Sequence, residues 1–363
     1  MPSLTEVAKK AGVSIATASL VLNSGRRTRR VGEACAARVR QVAEQLGYVP
    51  NYHAQSMKRG RADVIAVALD VDYSGAKLKR NELGATYYGT IVGAIEASAR
   101  SHGNLMAIVG PQEDLRAPDR GLLGIRQRRF DGMIVLGPAV HREHTDFLAQ
   151  PHAEPIVVIE YAAKTDLPVV DWDEPGSVKL AVRHLAELGH KDLLWLGPRD
   201  EHTHAPAPRR EELFRRHVRD AGLRGQSCCF ERIQGSADYL ADLADAAEGA
   251  LAERLKNGPR VFTGVVCYND VTAIGACGAL MAAGLRIPDD VSVIGFDDVE
   301  APLAIPRLTT VSHRLDEMGR RATELVLQWV EDPAAVERLR GRRVLLEPEL
   351  VVRKSTGKCK GRG

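Results

Sequence analysis

The chain has 363 residues, of which 44% are hydrophobic and 27% are charged, as in ordinary soluble globular proteins. This length predicts two or three domains. No apolar run approaches the roughly 20 residues that cross a bilayer, and the N-terminal residues lack the apolar block of a secretory signal. The six cysteines show no CxxC pair and no zinc-like spacing, so we expect free thiols, no metal site and a reducing cytoplasm.

Charge is distributed unevenly along the chain. Residues 1–61 carry eleven Lys and Arg against three Glu, a net charge of +8, whereas the other 302 residues carry −5. Such asymmetry is typical of a basic module that binds a polyanion and is joined to a near-neutral body. A solvated basic tail is the alternative, but periodic apolar positions and helix caps in the same segment argue against it.

Residues 3–23 predict two short helices. Ser3 and Glu6 form a capping box that starts the first helix, Gly12 permits a tight turn, and Ser14 can cap the second helix. This is the spacing of a helix-turn-helix, whose second helix enters the major groove of DNA.

A third helix is expected from about Glu33 to Leu46, ended by Gly47 and by Pro50. Three short helices can close one small core. A generic helical bundle is the alternative to a DNA-binding unit.

Two segments resemble the DNA-binding headpiece and hinge of the lactose-repressor (LacI) family. They are LTEVAKKAGVSIATASLVLN at 4–23 and LGYVPNYHAQSMKRGR at 46–61. In that family the hinge folds into a helix on the operator, and a leucine wedges into the minor groove. The matching hinge is 51–59, with Met57 in the wedge position, where an inserted apolar side chain kinks the duplex.

The resemblance implies a set of DNA-contacting residues. Ile15, Ala16 and Leu20 offer no hydrogen bonds to base edges but can contact thymine methyl groups. Arg26 and Arg27 either grip phosphates or belong to a flexible basic loop. The full set is Ser14, Ile15, Ala16, Thr17, Ser19, Leu20, Asn23, Arg26, Arg27, Tyr48, Asn51, Ala54, Gln55 and Met57.

The remainder of the chain alternates aliphatic runs with helical patterns. Such runs predict buried parallel strands covered by helices, in two similar lobes that begin near Val64 and near Asp192. No G-x-G-x-x-G follows the first strand and no Walker lysine is present, so a nucleotide enzyme would lack its phosphate cradle. The runs are 64–70, 105–110, 133–137, 156–160, 193–197, 261–268 and 291–296.

The resemblance to the LacI family continues in HLAELGHK (184–191), in residues 268–300 and in PRLTTVSHRLDEMGRRA (306–322). It implies a core similar to periplasmic sugar-binding proteins, with two lobes, three chain crossings and a ligand cleft. The implied effector-binding residues are Tyr87, Tyr88, Glu160, Arg210, Asn269 and Asp297. Arg209 competes with Arg210 for its role, the tyrosines could instead fill core, and Asp270 and Asp298 are expected to be caps or lobe supports.

Three segments depart from the family pattern. The loop between Asp72 and Tyr87 is long and is expected to reshape the cleft entrance. His202 and His204 favour a mobile loop over a metal site, because no nearby cysteine completes one. The basic segment 354–363 lacks apolar heptads, so it is predicted to be disordered, and a dimer is favoured over a tetramer.

The sequence thus predicts an all-α helix-turn-helix headpiece (1–50), a hinge helix and linker (51–61), an α/β periplasmic-binding-protein-like core of two parallel-sheet lobes (62–353) and a basic tail (354–363). The predicted function is a cytoplasmic transcriptional repressor that binds a pseudo-palindromic operator as a homodimer. A small metabolite, a sugar or sugar derivative, would control it, with no cofactor and no catalytic residues. The alternatives are a ligand-binding protein without specific DNA readout and an α/β enzyme tethered to DNA.

Overall fold

The chain forms two compact units, Met1–Asp63 and Val64–Gly363. The computed structural model describes residues 2–23, 31–51, 56, 59–69, 87–110, 116–136, 147–161, 164–199, 206–231 and 239–360. Most of the predicted hinge, the long loop after Asp72 and the pair His202 and His204 lie outside these ranges.

The first unit contains helices α1 (Leu4–Ala11), α2 (Ile15–Asn23) and α3 (Glu33–Leu46). The predicted capping box is present, because the Glu6 amide donates to Ser3 Oγ at 3.2 Å and the Ser3 amide donates to the Glu6 carboxylate at 2.7 Å. Gly12, with φ 65°, makes the turn between α1 and α2. Local signals in the sequence therefore define these helix ends.

Helix α2 is capped as predicted, because the Thr17 amide donates to Ser14 Oγ at 3.0 Å. Helix α3 follows Gly32, which supplies no side-chain cap, and ends at Gly47 in the left-handed conformation. The small residues Ala8 and Ala18 are buried between the helices, so the helices approach closely.

The second unit contains two sheets covered by helices. Its helices are α4 (Tyr87–Ser101), α5 (Ala117–Arg126), α6 (Glu174–Glu187), α7 (Pro206–Asp220), α8 (Tyr239–Lys256), α9 (Asp270–Ala282), α10 (Leu315–Glu331) and α11 (Val336–Leu339), with a 3-10 turn at Pro333–Ala335. Its strands are β1 (Val64–Leu69), β2 (Leu105–Val109), β3 (Gly132–Leu136), β4 (Ile156–Ile159), β5 (Val169–Trp172), β6 (Asp192–Arg199), β7 (Arg224–Glu231), β8 (Gly264–Cys267), β9 (Ser292–Asp297), β10 (Thr309–Ser312), β11 (Arg343–Leu346) and β12 (Glu349–Val351).

The strand order defines two lobes. Lobe 1 is the parallel sheet β11-β5-β4-β3-β1-β2, in which Val67 is in register with Ile134 and with Ile108. Lobe 2 is the sheet β12-β10-β9-β8-β6-β7, parallel except for the antiparallel pair β10–β12. The predicted two-lobed parallel architecture is therefore confirmed.

The chain passes between the lobes three times. It leaves lobe 1 after β5 and enters α6, which packs on lobe 2; it returns after β10 into α10, which packs on lobe 1; and it crosses again between β11 and β12. Three crossings make the lobes depend on one another, and their strand ends meet at the junction.

The prediction of a disordered C-terminal tail is wrong for residues 354–360. Ser355 is fully buried, its hydroxyl donates to the Val293 carbonyl at 2.6 Å, and it accepts the Thr309 amide at 2.8 Å. The Gly357 carbonyl lies 3.0 Å from Nε2 of the buried His190. The composition of the segment did not predict these contacts, because hydrogen bonds of small polar residues hold the segment in place, and no apolar side chain does so.

All six cysteines are free. Among the described residues, no group of three or more His, Cys, Asp or Glu is placed to hold a metal ion. No helix in the described part of the chain is both long and apolar enough to cross a membrane.

Candidate DNA-binding surface and effector cleft

Helix α2 leaves apolar side chains in solvent. Ile15 is 50% exposed and Leu20 is 38% exposed, whereas Ala18 and Val21 of the same helix are buried in the headpiece core. Ser14 and Ala16 are also exposed, and Thr17 and Ser19 are partly exposed. The residues predicted to face DNA therefore share an outward face of α2.

The other predicted DNA contacts divide into two groups. Tyr48 packs against the headpiece core, and Asn51 is exposed. The Asn23 side chain and residues Arg26, Arg27, Ala54, Gln55 and Met57 lie outside the described residues. The wedge assigned to Met57 thus stays a prediction.

The predicted effector residues lie at strand and helix ends. Tyr87 and Tyr88 begin α4, Glu160 follows β4, Asn269 follows β8, and Asp297 ends β9. Carboxyl ends of parallel strands are where open α/β sheets bind ligands. Ring contacts and electrostatic interactions connect these residues across both lobes.

Arg210, on α7, is 3% exposed and is held on several sides. Its Nε lies 3.4 Å from Glu174 Oε1, and one terminal nitrogen donates to the Tyr268 carbonyl at 2.5 Å. The guanidinium carbon lies 4.9 Å from the centroid of the Phe296 ring. A planar cation fixed in this way presents a preset donor geometry.

The two candidate arginines differ in burial. The Arg209 side chain is 55% exposed and its Nε lies 3.2 Å from Glu174 Oε2, while Arg210 takes the other oxygen. Glu174 is the first residue of α6, just after the first crossing between lobes. Arg210 is therefore the better candidate for a fixed cleft residue, and Glu174 supports it.

Asp297 adopts a left-handed backbone conformation with φ 99°, which is costly for a residue other than glycine. In this conformation the Asp297 carboxylate contacts His313, with Oδ1 lying 3.1 Å from Nδ1 of that residue. His313 is fully buried, and burial lowers its pKa despite the neighbouring carboxylate, so its ring is neutral at pH 7.

An aromatic contact connects the lobes at the cleft. Trp172 ends β5 of lobe 1 and stacks on His313 after β10 of lobe 2, with ring centroids 4.7 Å apart and an interplanar angle of 22°. Tyr87 meets Trp172 edge-on at 6.4 Å and Tyr88 at 5.4 Å. The predicted aromatic pair is thus part of a larger cluster that spans the junction.

The lobe 1 wall carries a carboxyl group in an unfavourable setting. Burial raises the pKa of Glu160 to about 8, with further increases from Asp171 and Asp297 and opposing decreases from Tyr87 and Arg210. The backbone of Glu160 has φ 63°. Although Tyr87 is adjacent, neither Glu160 Oε1 nor the Tyr87 hydroxyl forms a hydrogen bond of ordinary geometry with the described residues.

The lobe 2 wall is more fully hydrogen-bonded. Asn269 caps α9, because its Oδ1 accepts the Thr272 amide at 2.9 Å. Asp270 is buried and accepts the Thr310 hydroxyl at 2.6 Å, which ties α9 to β10. Asp298 lies 2.6 Å from an Arg353 nitrogen. Asp270 and Asp298 therefore support the lobe, as expected, and the cap is Asn269.

Two parts of the chain match known protein families. Residues 3–51 match the family described as bacterial regulatory proteins, lacI family, and residues 182–356 match the periplasmic binding protein-like domain. The chain thus has a lacI-type regulatory domain at its headpiece and a periplasmic binding protein-like domain in its second unit. The second match covers most of lobe 2 together with α10, α11 and β11 of lobe 1.

Relatives span the whole chain. The HTH-type transcriptional repressor PurR of Haemophilus influenzae (strain PittEE) is 28% identical over 360 residues, covering 98% of each chain. The ribose operon repressor of Escherichia coli (strain K12) is 28% identical over 358 residues, covering 98% of this chain and 100% of that protein.

Solved structures share the fold of this chain. The lac repressor dimer bound to operator and the anti-inducer ONPF has a TM-score of 0.76 at 24% identity, covering 98% of this chain and 99% of that chain. The complex of the regulator CelR with cellobiose has a TM-score of 0.61 at 23% identity, covering 98% and 100%.

Sequence reasoning did not single out Trp172, Glu174 and His313, which contact predicted cleft residues in the structure. Trp172 ends β5 and His313 follows β10, and these short strands with polar residues were not recognised as aliphatic runs. Had β5 and β10 been recognised, the aromatic residue at the carboxyl end of each strand would have been a candidate, because ligands bind at such ends.

Proposed function

We propose that this chain is a transcriptional repressor that binds a pseudo-palindromic operator as a homodimer. A small hydroxylated metabolite, a sugar or a sugar derivative, binds in the cleft between lobes 1 and 2 and sets the affinity for the operator. The DNA-binding and effector-binding residues are those named above from the sequence, with Trp172, Glu174 and His313 added to the cleft.

The observation that carries this proposal is the capped helix-turn-helix in a segment of charge +8, with Ile15 and Leu20 exposed on its second helix. A solvent-exposed apolar side chain costs free energy unless it has a partner, and thymine methyl groups supply one in the major groove. Basic residues nearby supply the salt-dependent attraction to phosphates.

The effector half of the proposal has its own support. The relatives include a ribose operon repressor, and one structural neighbour holds cellobiose. The fixed guanidinium of Arg210 and the carboxylate of Asp297 offer a donor and an acceptor, which hydroxyl groups use together.

Coupling follows from the position of the cleft. Trp172 and His313 stack across the lobes, and a ligand that contacts Asp297 or Tyr87 would change the balance between lobe arrangements. A ligand shifts such an equilibrium only by its difference in affinity for the two arrangements, and the operator site responds through the same equilibrium.

Dimerisation has a candidate surface in lobe 1. The edge strand β2 exposes Leu105 by 63% and Ile108 by 51%. Exposed apolar edge strands pair or become covered in stable proteins. The lac repressor structure that shares this fold is a dimer on its operator. A protein that binds operator DNA would act in the cytoplasm, beside the chromosome, as a regulator and not as an enzyme.

The test is selection of bound sequences from random duplex DNA by the full chain at physiological salt. A two-fold symmetric consensus supports the proposal, and sedimentation of the complex should give two chains per site. Enrichment of no sequence would favour the ligand-binding alternative. Chemical conversion of a bound metabolite would favour the enzyme alternative.

A further inference from the structure

Two carboxyl groups in the cleft lack a directly paired cation among the described residues. Two acidic residues have guanidinium partners: Glu174 is paired with Arg209 and Arg210, and Asp171 lies 3.1 Å from Arg343. Glu160 and Asp297 have no Lys or Arg within ion-pair distance among the described residues.

Neighbouring groups in the described part of the chain form no direct ion pair with Glu160 or Asp297. His313 contacts Asp297, but burial keeps its ring neutral at pH 7. Glu300 adds another acidic group nearby, since burial and then the charge of Asp297 raise its pKa to about 7. Arg210 acts on both Glu160 and Asp297 without an ion-pair contact to either, and its effect on the pKa of Glu160 is smaller than those of Asp171 and Asp297.

The surroundings of Glu160 are suited to a cation. The rings of Tyr87 and Trp172 lie 6.4 Å apart, and aromatic faces attract ammonium groups. The fully buried ring of His313 has no hydrogen bond at Nε2 within the described part of the structure. Buried polar groups without partners are rare and are often satisfied by a ligand.

We infer that the effector is a hydroxylated compound bearing a protonated amine, whose ammonium group binds at Glu160 and Asp297 against the rings of Tyr87 and Trp172. This inference rests on the proposed function, because it assigns the chemical class of the effector in the same cleft. A neutral hydroxyl could donate a hydrogen bond there, but only a cation would also stabilise the ionised form of Glu160 beside Asp297.

The inference predicts a proton balance. Glu160 is largely protonated at pH 7, because its pKa is about 8, and an ammonium group would stabilise its ionised form. Binding of the amine at pH 7 therefore releases up to about one proton from Glu160. Binding of a neutral sugar leaves the proton in place.

The experiment is isothermal titration calorimetry of the full chain with matched probes at pH 7. Each series has one sugar skeleton in three forms: D-glucosamine, D-glucose and N-acetyl-D-glucosamine, with the galactose and mannose series in parallel. We expect the amine of at least one series to bind at least tenfold more tightly than its parent and its acetylated form. Titration in two buffers of different protonation enthalpy should show proton release for the amine alone.

Variants locate the effect. Glu160→Gln should abolish the proton release and remove most of the tenfold preference for the amine. Asp171→Asn is the matched control, because that carboxylate is already paired with Arg343, and it should keep the preference. Operator affinity and melting temperature of the unliganded variants show whether either change acts only on folding.

The outcomes separate this inference from the proposed function. Parent sugars that bind as tightly as their amines in every series, or a preference that survives Glu160→Gln, would overturn the inference and leave the repressor assignment standing. Absence of amine-selective binding in all three series would overturn it as well. Failure of the repressor assignment is read separately, from the absence of a selected operator sequence.

Discussion

The surface proposed to bind DNA and the cleft proposed to bind the effector have opposite chemistry. On α2 the proposed recognition residues Ile15 and Leu20 are apolar and exposed, whereas in the cleft Arg210 and His313 are polar and buried. An exposed apolar side chain can be replaced with little effect on folding, but a buried charge is held by several partners at once. Changes in the cleft should therefore affect stability and binding together, and changes on α2 should affect specificity alone.

The largest effect is expected at Arg210, where that coupling between stability and binding should be most visible. Arg210→Ala leaves Glu174 buried with one partner fewer, and breaking a buried ion pair typically costs about 3 kcal/mol or more. Loss of a charged hydrogen bond to the ligand should weaken effector binding roughly tenfold to a hundredfold. Denaturant unfolding and calorimetry with the effector measure the two quantities.

Arg209→Ala is the control for Arg210→Ala, because it removes the exposed partner of the same carboxylate. It should cost less than about 1 kcal/mol, as exposed ion pairs do. Equal losses of unfolding free energy for the two variants would show that burial does not distinguish these arginines. The contrast between buried cleft residues and exposed headpiece residues would then not hold for Arg210.

The second prediction concerns pH. Because the pKa of Glu160 is about 8 in the folded chain and ordinary in the unfolded chain, the folded state binds more protons between pH 4.5 and about 8. The contribution of Glu160 to stability is thus fully present below pH 4.5 and is lost as pH rises through about 8. Glu160→Gln removes this dependence.

The unfolding free energies of wild type and Glu160→Gln should be compared from pH 4 to pH 9. The difference should grow in favour of the variant with rising pH and reach roughly 2–4 kcal/mol at pH 9. Comparing the two curves cancels Asp171 and Glu300, whose pKa values burial also raises. Parallel curves would mean that Glu160 is ionised at neutral pH.

The third prediction concerns the C-terminal segment behind the lobe 2 wall. Ser355→Ala leaves the Thr309 amide and the Val293 carbonyl buried without that partner, at a cost of about 2 kcal/mol. Lys358→Ala, at an exposed position of the same segment, should change stability by less than about 0.5 kcal/mol. If both variants unfold like wild type, residues 354–360 are as loosely held as their composition suggests.

The headpiece could be predicted from the sequence because its signals are local. Each signal acts within one turn of helix, so the role predicted from the sequence is the role found in the structure. The signals are Ser3 with Glu6, Gly12 and Ser14. The aliphatic strands were predictable for a similar reason, since a buried parallel strand needs a continuous apolar run, as in β1 and β3.

The cleft was predictable only in part. Resemblance placed Arg210 and Asp297 at the ends of elements, but the stacking of Trp172 on His313 joins residues far apart in sequence and on different lobes. Strand β5, which ends at Trp172, and strand β10, which ends just before His313, are too short and polar to be recognised as apolar runs. No local rule relates such residues, so only the assembled fold shows their contact.

The smallest effect on stability is expected on α2. Leu20→Arg replaces a side chain that is 38% exposed, so the free energy of unfolding should change by less than about 0.5 kcal/mol. In the major groove, however, arginine makes bidentate hydrogen bonds to guanine that leucine cannot make, worth about 1–3 kcal/mol. Selection from random DNA should therefore give guanine at one new position in each half-site, favoured roughly tenfold.

Gln41→Arg on the exposed side of α3 adds the same charge and controls for phosphate attraction. Both variants should bind non-specific DNA more tightly than wild type, and only Leu20→Arg should change the preferred base. An unchanged consensus for Leu20→Arg would remove that residue from the groove, and the apolar recognition face would then have to lie elsewhere on the headpiece.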